Sequence, residues 1–425
     1  MNSPDAIIQS SPMDDQHNDE YQQSDGMRSD EHDRESDAYQ HDRESDEMGS
    51  DRESDEMESD RESDGIQSEY DSEYDSDDSV LSEDHFDGKK HPTVREWALK
   101  EQIGKGSFGV VWRACHEDQT VALKIARRDE DSVREVMVLK HLGAHPHIVE
   151  LLDEFEHVTL QKWIHKVSVF KLYDGDLFDY IELFEHDQMG FSNAKTILVQ
   201  ILRAMKHMKD KGVVHSDLKP ENILVGDMDT HRPHVVVADF GSASINNGNN
   251  CLYGKTSHYR SPEIIVNAKN CMTPAADVWS FACISFELLT GESLFDPKAG
   301  FSSMTTSDER SDSRCSSSSE YDDGYSINFE HLSLMQEILG KFPRAFAKKA
   351  RKYFNAKGQL LNNPDIYNLP LTSVLIEHGA TEDEATRIDA FLKPMLMYSI
   401  GRRATVEEIM KHSFLIIEDL RPKQT

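Results

Sequence analysis

Cysteine is scarce in this 425-residue chain: Cys115, Cys251, Cys271, Cys283 and Cys315 are scattered, with no C-x-x-C pair. That spacing argues against a disulfide scaffold and predicts reduced thiols in a cytoplasmic or nuclear protein. No uninterrupted apolar run approaches the length of a membrane span. The opening Met1-Asn2-Ser3-Pro4-Asp5 lacks the basic and apolar regions of a secretion signal. A soluble intracellular protein is therefore expected, with no membrane partner. Positive charge is also in short supply, since 46 Lys and Arg face 79 Asp and Glu and leave a formal charge of -33. The sequence reads as having no stretch that concentrates enough Lys and Arg to neutralise phosphates, so direct nucleic-acid binding is not expected.

The acid is unevenly placed. Residues 1–88 hold 32 Asp and Glu against five Arg, a net of -27, and the remaining 337 residues carry a net of only -6. Asp-Arg-Glu-Ser-Asp recurs at 33–37, 42–46, 51–55 and 60–64, a nine-residue period without the apolar position that stacked repeats need. Like charges repel and little can be buried, so residues 1–90 are expected to form a disordered acidic tail. Ser50, Ser59, Ser68 and Ser72 each have an acid three residues later, the pattern favoured by acidophilic kinases such as casein kinase 2. Order is expected from about Trp97. Alternating apolar residues predict strands at Trp97–Ile103, Val110–Cys115, Thr120–Ala126, Val149–Phe155 and Val167–Leu172. Helical periodicity predicts helices at about Ser132–Leu142, Ala194–Lys209, Ala275–Leu289 and His331–Leu339. The Ser-rich stretch 301–327 reads as a flexible insertion. A β-rich start followed by an α-rich remainder makes an α+β protein of two unlike lobes.

Four motifs carry chemistry. Gly104-Lys105-Gly106-Ser107-Phe108-Gly109-Val110-Val111 has glycines spaced to let a hairpin lie close over phosphates. A dinucleotide site would need a helix after the third glycine, whereas a strand follows here. Val121-Ala122-Leu123-Lys124 sets a lysine inside an apolar strand, suited to α- and β-phosphates once a carboxylate fixes it. Glu135, beside the apolar stripe of the following helix, is the expected partner, with Glu130 the alternative. His215-Ser216-Asp217-Leu218-Lys219-Pro220-Glu221-Asn222 supplies a proton acceptor, a cation and an oxygen ligand within one short loop. Asp239-Phe240-Gly241 follows an apolar strand, and its carboxylate is a hard ligand suited to Mg2+. His141, His145 and His147, just before a predicted strand, offer an imaginable metal set, but metal binding is not the expected reading.

With Ser261-Pro262-Glu263, Asp277-Val278-Trp279-Ser280 and Arg403 following in order, the chain from about Trp97 to Leu415 resembles the eukaryotic protein kinases. The resemblance implies a kinase domain at 97–415, with an N-lobe at about 97–173 and a C-lobe at about 174–415. Tyr259-Arg260-Ser261-Pro262-Glu263 is similar to the branch holding cyclin-dependent, MAP, CLK, DYRK and SR-protein kinases. Thr273–Ser280, Phe286–Gly291, Leu294–Pro297 and Phe391–Leu396 are most similar to SR-protein kinases. Only Gly226–His234 stands where that family carries a long spacer, and Asp-Phe-Gly-Ser-Ala at 239–243 looks more like CLK kinases.

The family roles transfer residue by residue. Gly104, Gly106 and Gly109, with Lys105, Ser107, Phe108 and Val110, would cover the ATP phosphates, and Lys124 paired with Glu135 would anchor them. Ile103, Val111 and Ala122 would sandwich adenine, its edge bonded to backbone near Lys171 and Tyr173 behind Phe170. Asp217 would accept the substrate proton, Lys219 would stabilise transferring charge, and Asn222 with Asp239 would bind Mg2+. Ser216 replaces an arginine that elsewhere receives an activation-segment phosphate, which implies constitutive activity. Glu330 and Glu337 match acids that line a docking groove for Arg/Ser-rich protein substrates such as splicing factors. A monomeric serine/threonine kinase is expected; a CLK- or DYRK-like specificity and a scaffolding pseudokinase are the alternatives. Deleting 1–88 or 303–325 is expected to leave basal turnover intact.

Overall fold

The structure is a computed structural model that describes residues 86–106, 109–126, 129–159, 162–184, 189–228, 230, 233–246, 258–268, 271–297, 323–361 and 368–416. Most of the expected tail and insertion, together with Ser107 and Phe108, lies outside these residues.

Six antiparallel strands form the first lobe: Thr93–Val94 (β1), Trp97–Gly106 (β2), Gly109–His116 (β3), Gln119–Ala126 (β4), Leu151–Val158 (β5) and Ile164–Lys171 (β6). They run in the order β1-β2-β3-β4-β6-β5. Alternation gives the sheet two different faces. In β4, Val121, Leu123 and Ile125 are buried on one side, against Val94, Trp97, Val110 and Phe155. Ala122 and Lys124, on the other side, line a cleft. The helix Asp129–Leu142 (α1) follows β4 and packs Val138, Leu139 and Leu142 into the larger core.

Order begins earlier than the sequence suggests. Phe86 is buried in the small core that backs the sheet, and β1 precedes Trp97. A tail boundary at 90 therefore cuts into the lobe. The signal was hidden because one aromatic residue in an acidic stretch creates no periodicity.

The second lobe is mainly helical: Leu177–Glu182 (α2), Phe191–Asp210 (α3), Pro262–Ile265 (α4), Pro274–Thr290 (α5), Asp323–Leu339 (α6), Arg344–Ala347 (α7), Leu371–Glu377 (α8), Glu382–Leu392 (α9) and Val406–Ile409 (α10). Helix α5 is buried from Ala276 through Leu289, so its sequence is apolar all round rather than amphipathic. Pro274 starts it, and Gly291, at φ 81°, ends it in the left-handed conformation that glycine adopts without a Cβ penalty. Helix α6 begins at Asp323, inside the insertion expected to extend to 327. Short ladders position the segments that carry the last two motifs: Gly175–Asp176 (β7), Ile223–Gly226 (β9) and His234–Val237 (β10) form one, and Val213–Val214 (β8) with Ser244–Ile245 (β11) forms another. Cys271 is disulfide-bonded, so the expectation of reduced thiols fails there. Among the described residues no helix is long and apolar enough to cross a membrane.

Candidate active site

A cleft of about 500 Å³ opens where the sheet meets the helical lobe. Ile103, Val111, Ala122, Phe170 and Lys171 line it from the sheet, Tyr173 from the connection that follows, and Asn222, Leu224 and Asp239 from below. The positions matched to adenine, hinge and phosphate contacts therefore share one cavity. Gly104, Lys105, Gly106 and Gly109 line it too, with Val110 turned into the small core. Gly109 also has a structural task. Its φ is +142°, and a Cβ there would meet the Ile125 carbonyl oxygen at 2.2 Å. A Cβ on Gly106 meets nothing within 4 Å.

Lys124 is the hub. Its Nζ donates to Glu135 Oε1 at 3.0 Å and to Asp239 Oδ1 at 2.8 Å. Burial pulls the ammonium's pKa down, but the two carboxylates outweigh it and hold the pKa above the ordinary lysine value. Burial likewise raises the Asp239 carboxyl, and Lys124 outweighs that, so it stays below its usual range. Both groups are therefore charged at neutral pH. Glu135, not Glu130, is the partner; the Glu130 side chain lies outside the described residues.

The catalytic loop is held by buried Asp277. Its carboxylate accepts the backbone N–H of His215 at 2.8 Å and of Ser216 at 2.9 Å. The grip offsets strain, since Ser216 sits at φ 73°, a conformation costly for a residue with a Cβ. Among the described residues the buried Ser216 hydroxyl has no hydrogen-bond partner, and it is too short to reach a distant phosphate as arginine does. Beyond it, Lys219 Nζ lies 3.3 Å from Asp217 Oδ2. Asn222 donates its amide to the Asp217 backbone oxygen at 2.8 Å and to Oδ2 at 3.3 Å. That use of the NH2 leaves the carboxamide oxygen to act as a ligand. Asp239, at φ 61°, is the second strained residue, on the far wall.

Among the described residues no group of three His, Cys, Asp or Glu forms a metal cage. One carboxylate and one amide oxygen facing a phosphate pocket suit Mg2+, which takes its remaining ligands from phosphates and water. The imagined histidine ligands are spent elsewhere. His141 and His147 pair with the carbonyls of Lys211 and Val235, and His145 stacks on His207 at 4.5 Å.

Farther out, Glu263 and Arg403 meet through a buried two-pronged pair at 2.6 and 2.9 Å. Glu330 and Glu337 are half-buried on α6. Sequence reasoning missed four contributors. Arg134 donates to the Gly241 carbonyl at 2.9 Å. Asp176 lines the cleft and caps α2, with burial raising its carboxyl to about 6. Tyr259 donates to buried Glu287 at 2.7 Å. Asp296 lies close enough to Glu330 to help burial raise the Glu330 pKa. Only folding brings these pairs together. The Tyr259-to-Glu287 interval on its own carries no recognisable spacing.

The protein kinase domain model matches residues 97–415. A serine/threonine-protein kinase SRPK of Physarum polycephalum is 28% identical over 418 residues, covering 80% of this chain and 92% of that protein. A probable serine/threonine-protein kinase sky1 of Dictyostelium discoideum is 37% identical over 192 residues, 44% of this chain and 26% of that protein. A probable dual specificity protein kinase madd-3 of Caenorhabditis elegans is 26% identical over 357 residues, covering 76% of this chain and 36% of that protein. The chain belongs to the protein kinase family, as a serine/threonine kinase in the branch near the SR-protein kinases.

Proposed function

We propose that this kinase transfers the γ-phosphoryl group of ATP to serine in Arg/Ser-rich proteins, and that it does so without an activation-segment phosphate. The observation that carries the chemistry is Lys124 bridging Glu135 and Asp239, opposite the Asp217–Lys219–Asn222 loop. Lys124 holds the α- and β-phosphates. Asp217 accepts the serine hydroxyl proton, and Lys219 stabilises charge on the transferring group. Asn222 and Asp239 would hold Mg2+, which neutralises charge on the phosphates. Positioning and electrostatics supply most of the rate.

Independence from phosphorylation is supported by Ser216 and by Arg134. The arginine reaches the Gly241 carbonyl directly, so the metal-binding turn is tied to α1 by this chain's own side chain. Phosphatase-treated enzyme is expected to match untreated enzyme in turnover; a large loss would move the phosphate-receiving role to another basic residue such as Arg260.

Substrate choice rests on Glu330, Glu337 and Asp296. The glutamates are seven residues apart on one helix, about 10 Å along its axis. Arginines in an extended Arg-Ser repeat recur about every 6.5–7 Å, and so can meet them. Steady-state kinetics on Arg-Ser and Ser-Pro peptides test the reading. Glu330→Ala with Glu337→Ala should raise KM for the Arg-Ser peptide, less so at high salt, and leave a generic basic substrate unaffected. Equal kinetics, or a preference for Ser-Pro, would overturn it.

A further inference from the structure

Contrary to the sequence expectation, one stretch does concentrate positive charge. Lys341, Arg344, Lys348, Lys349, Arg351, Lys352 and Lys357 fall within 17 residues that contain no acid. All seven are exposed. Among the described residues Lys341, Arg344, Lys348, Lys349, Arg351 and Lys357 form no ion pair, so their repulsion is not compensated within that part of the protein.

The backbone beneath them is fixed. Phe342, Ala347, Ala350, Tyr353 and Phe354 are buried under the charges. The Phe342 ring stacks on Tyr398 at 4.1 Å, and the Tyr398 hydroxyl donates to the carbonyls of Met335 and Gly340. Beside this ridge a groove of about 350 Å³ is walled by Lys341, Lys393 and Arg402 and floored by Leu339, Leu371 and Leu396. Its acid is Asp389, 3.7 Å from Lys393.

We propose that this face docks a carboxylate-rich peptide, one or two of whose apolar residues enter the groove while flanking acids meet Lys341, Lys393, Arg402 and the ridge. An apolar floor ringed by cations fits that occupant on both counts. Single-stranded nucleic acid fits less well. It needs exposed rings for stacking, whereas Tyr353 and Phe354 are buried.

The wording Asp75-Ser76-Asp77-Asp78-Ser79-Val80-Leu81-Ser82-Glu83-Asp84 has the required pattern. A labelled synthetic peptide of that sequence serves as the probe, titrated into the full chain by fluorescence anisotropy. Lys341→Glu with Arg402→Glu is expected to weaken binding about tenfold, and raising salt from about 50 to about 300 mM should weaken wild-type binding about fivefold. Replacing Val80 and Leu81 of the peptide by serine should also weaken it. Turnover of a short peptide substrate should stay unchanged in the variant, because neither residue belongs to the catalytic cleft. Equal binding by variant and wild type would overturn the proposal, as would indifference to the Val-Leu replacement. Tighter binding of an RNA oligonucleotide or of a phosphorylated Arg-Ser peptide would reassign the face and overturn it equally.

Discussion

At the scale of single residues, the glycine loop separates two tasks that sequence spacing merges. Gly109 combines positive φ with a Cβ contact of 2.2 Å to backbone, whereas Gly106 has open space around it. Gly109→Ala should therefore cost about 2 kcal/mol or more of stability, read as a lower denaturation midpoint. Gly106→Ala should leave that midpoint unchanged and raise KM for ATP, because a Cβ there meets no protein atom within 4 Å and, in the proposed role, only the phosphates. Equal loss of stability in both would refute the division. The reacting groups allow a second test. Asp217→Asn removes the proposed proton acceptor but can keep its hydrogen bond to Asn222, so the fold should survive while kcat falls about 100- to 10,000-fold. Turnover within threefold of wild type would remove Asp217 from that role. These motif residues were legible beforehand because each must be one chemical type at one spacing. Glu135 was legible for a further reason: the apolar stripe of Val136, Leu139 and Leu142 fixes which side of α1 faces inward.

At the scale of elements, α1 is the part whose function the sequence only half discloses. Its Glu135 was expected at Lys124, yet its neighbour Arg134 reaches Gly241 from the adjacent helix position. Two consecutive side chains thus hold the segment that carries strained Asp239. A hydrogen bond to a charged donor contributes about 1.5–3 kcal/mol, hence a kcat loss of about tenfold or more in Arg134→Ala. Arg134→Lys should recover part of it, and the apparent Mg2+ requirement should rise in the alanine variant with peptide KM unchanged. A uniform loss that tracks a lower melting temperature would make Arg134 a packing residue only. Nothing in the sequence marks this contact, because it joins positions 107 residues apart through a backbone carbonyl that has no side-chain signature. Helix α5 shows the opposite case. Its largely apolar run, Pro start and Gly stop specify the element so fully that the expected and observed spans differ by one residue at each end.

At the scale of the whole molecule, the two-lobed plan was legible from the switch in periodicity, and the place where the chain joins its first lobe was not. Phe86 packs against His91, His157 and His165 at ring distances of 5.5 to 5.9 Å, and it shares a core with Leu123 and Ile125. Those two flank Lys124 in β4, so the anchor belongs to the core that backs the strand carrying Lys124. Phe86→Ala should cost about 3 kcal/mol or more. A deletion ending at residue 88, which the acidic composition alone would recommend, should lower the melting temperature, and one ending at residue 84 should not. The histidines give the anchor a direction in pH. Burial first, then His91 and His165, hold the His157 pKa below the ordinary 6.5. The unfolded chain then binds more protons than the folded one as pH falls below that value, so the stability is present above pH 6.5 and is lost on acidification. Comparing melting temperatures of wild type and His157→Gln between pH 7.5 and pH 5 checks this, with the shallower slope expected in the variant. Identical slopes would mean that this cluster carries no proton linkage and that Phe86 anchors the lobe through apolar contact alone.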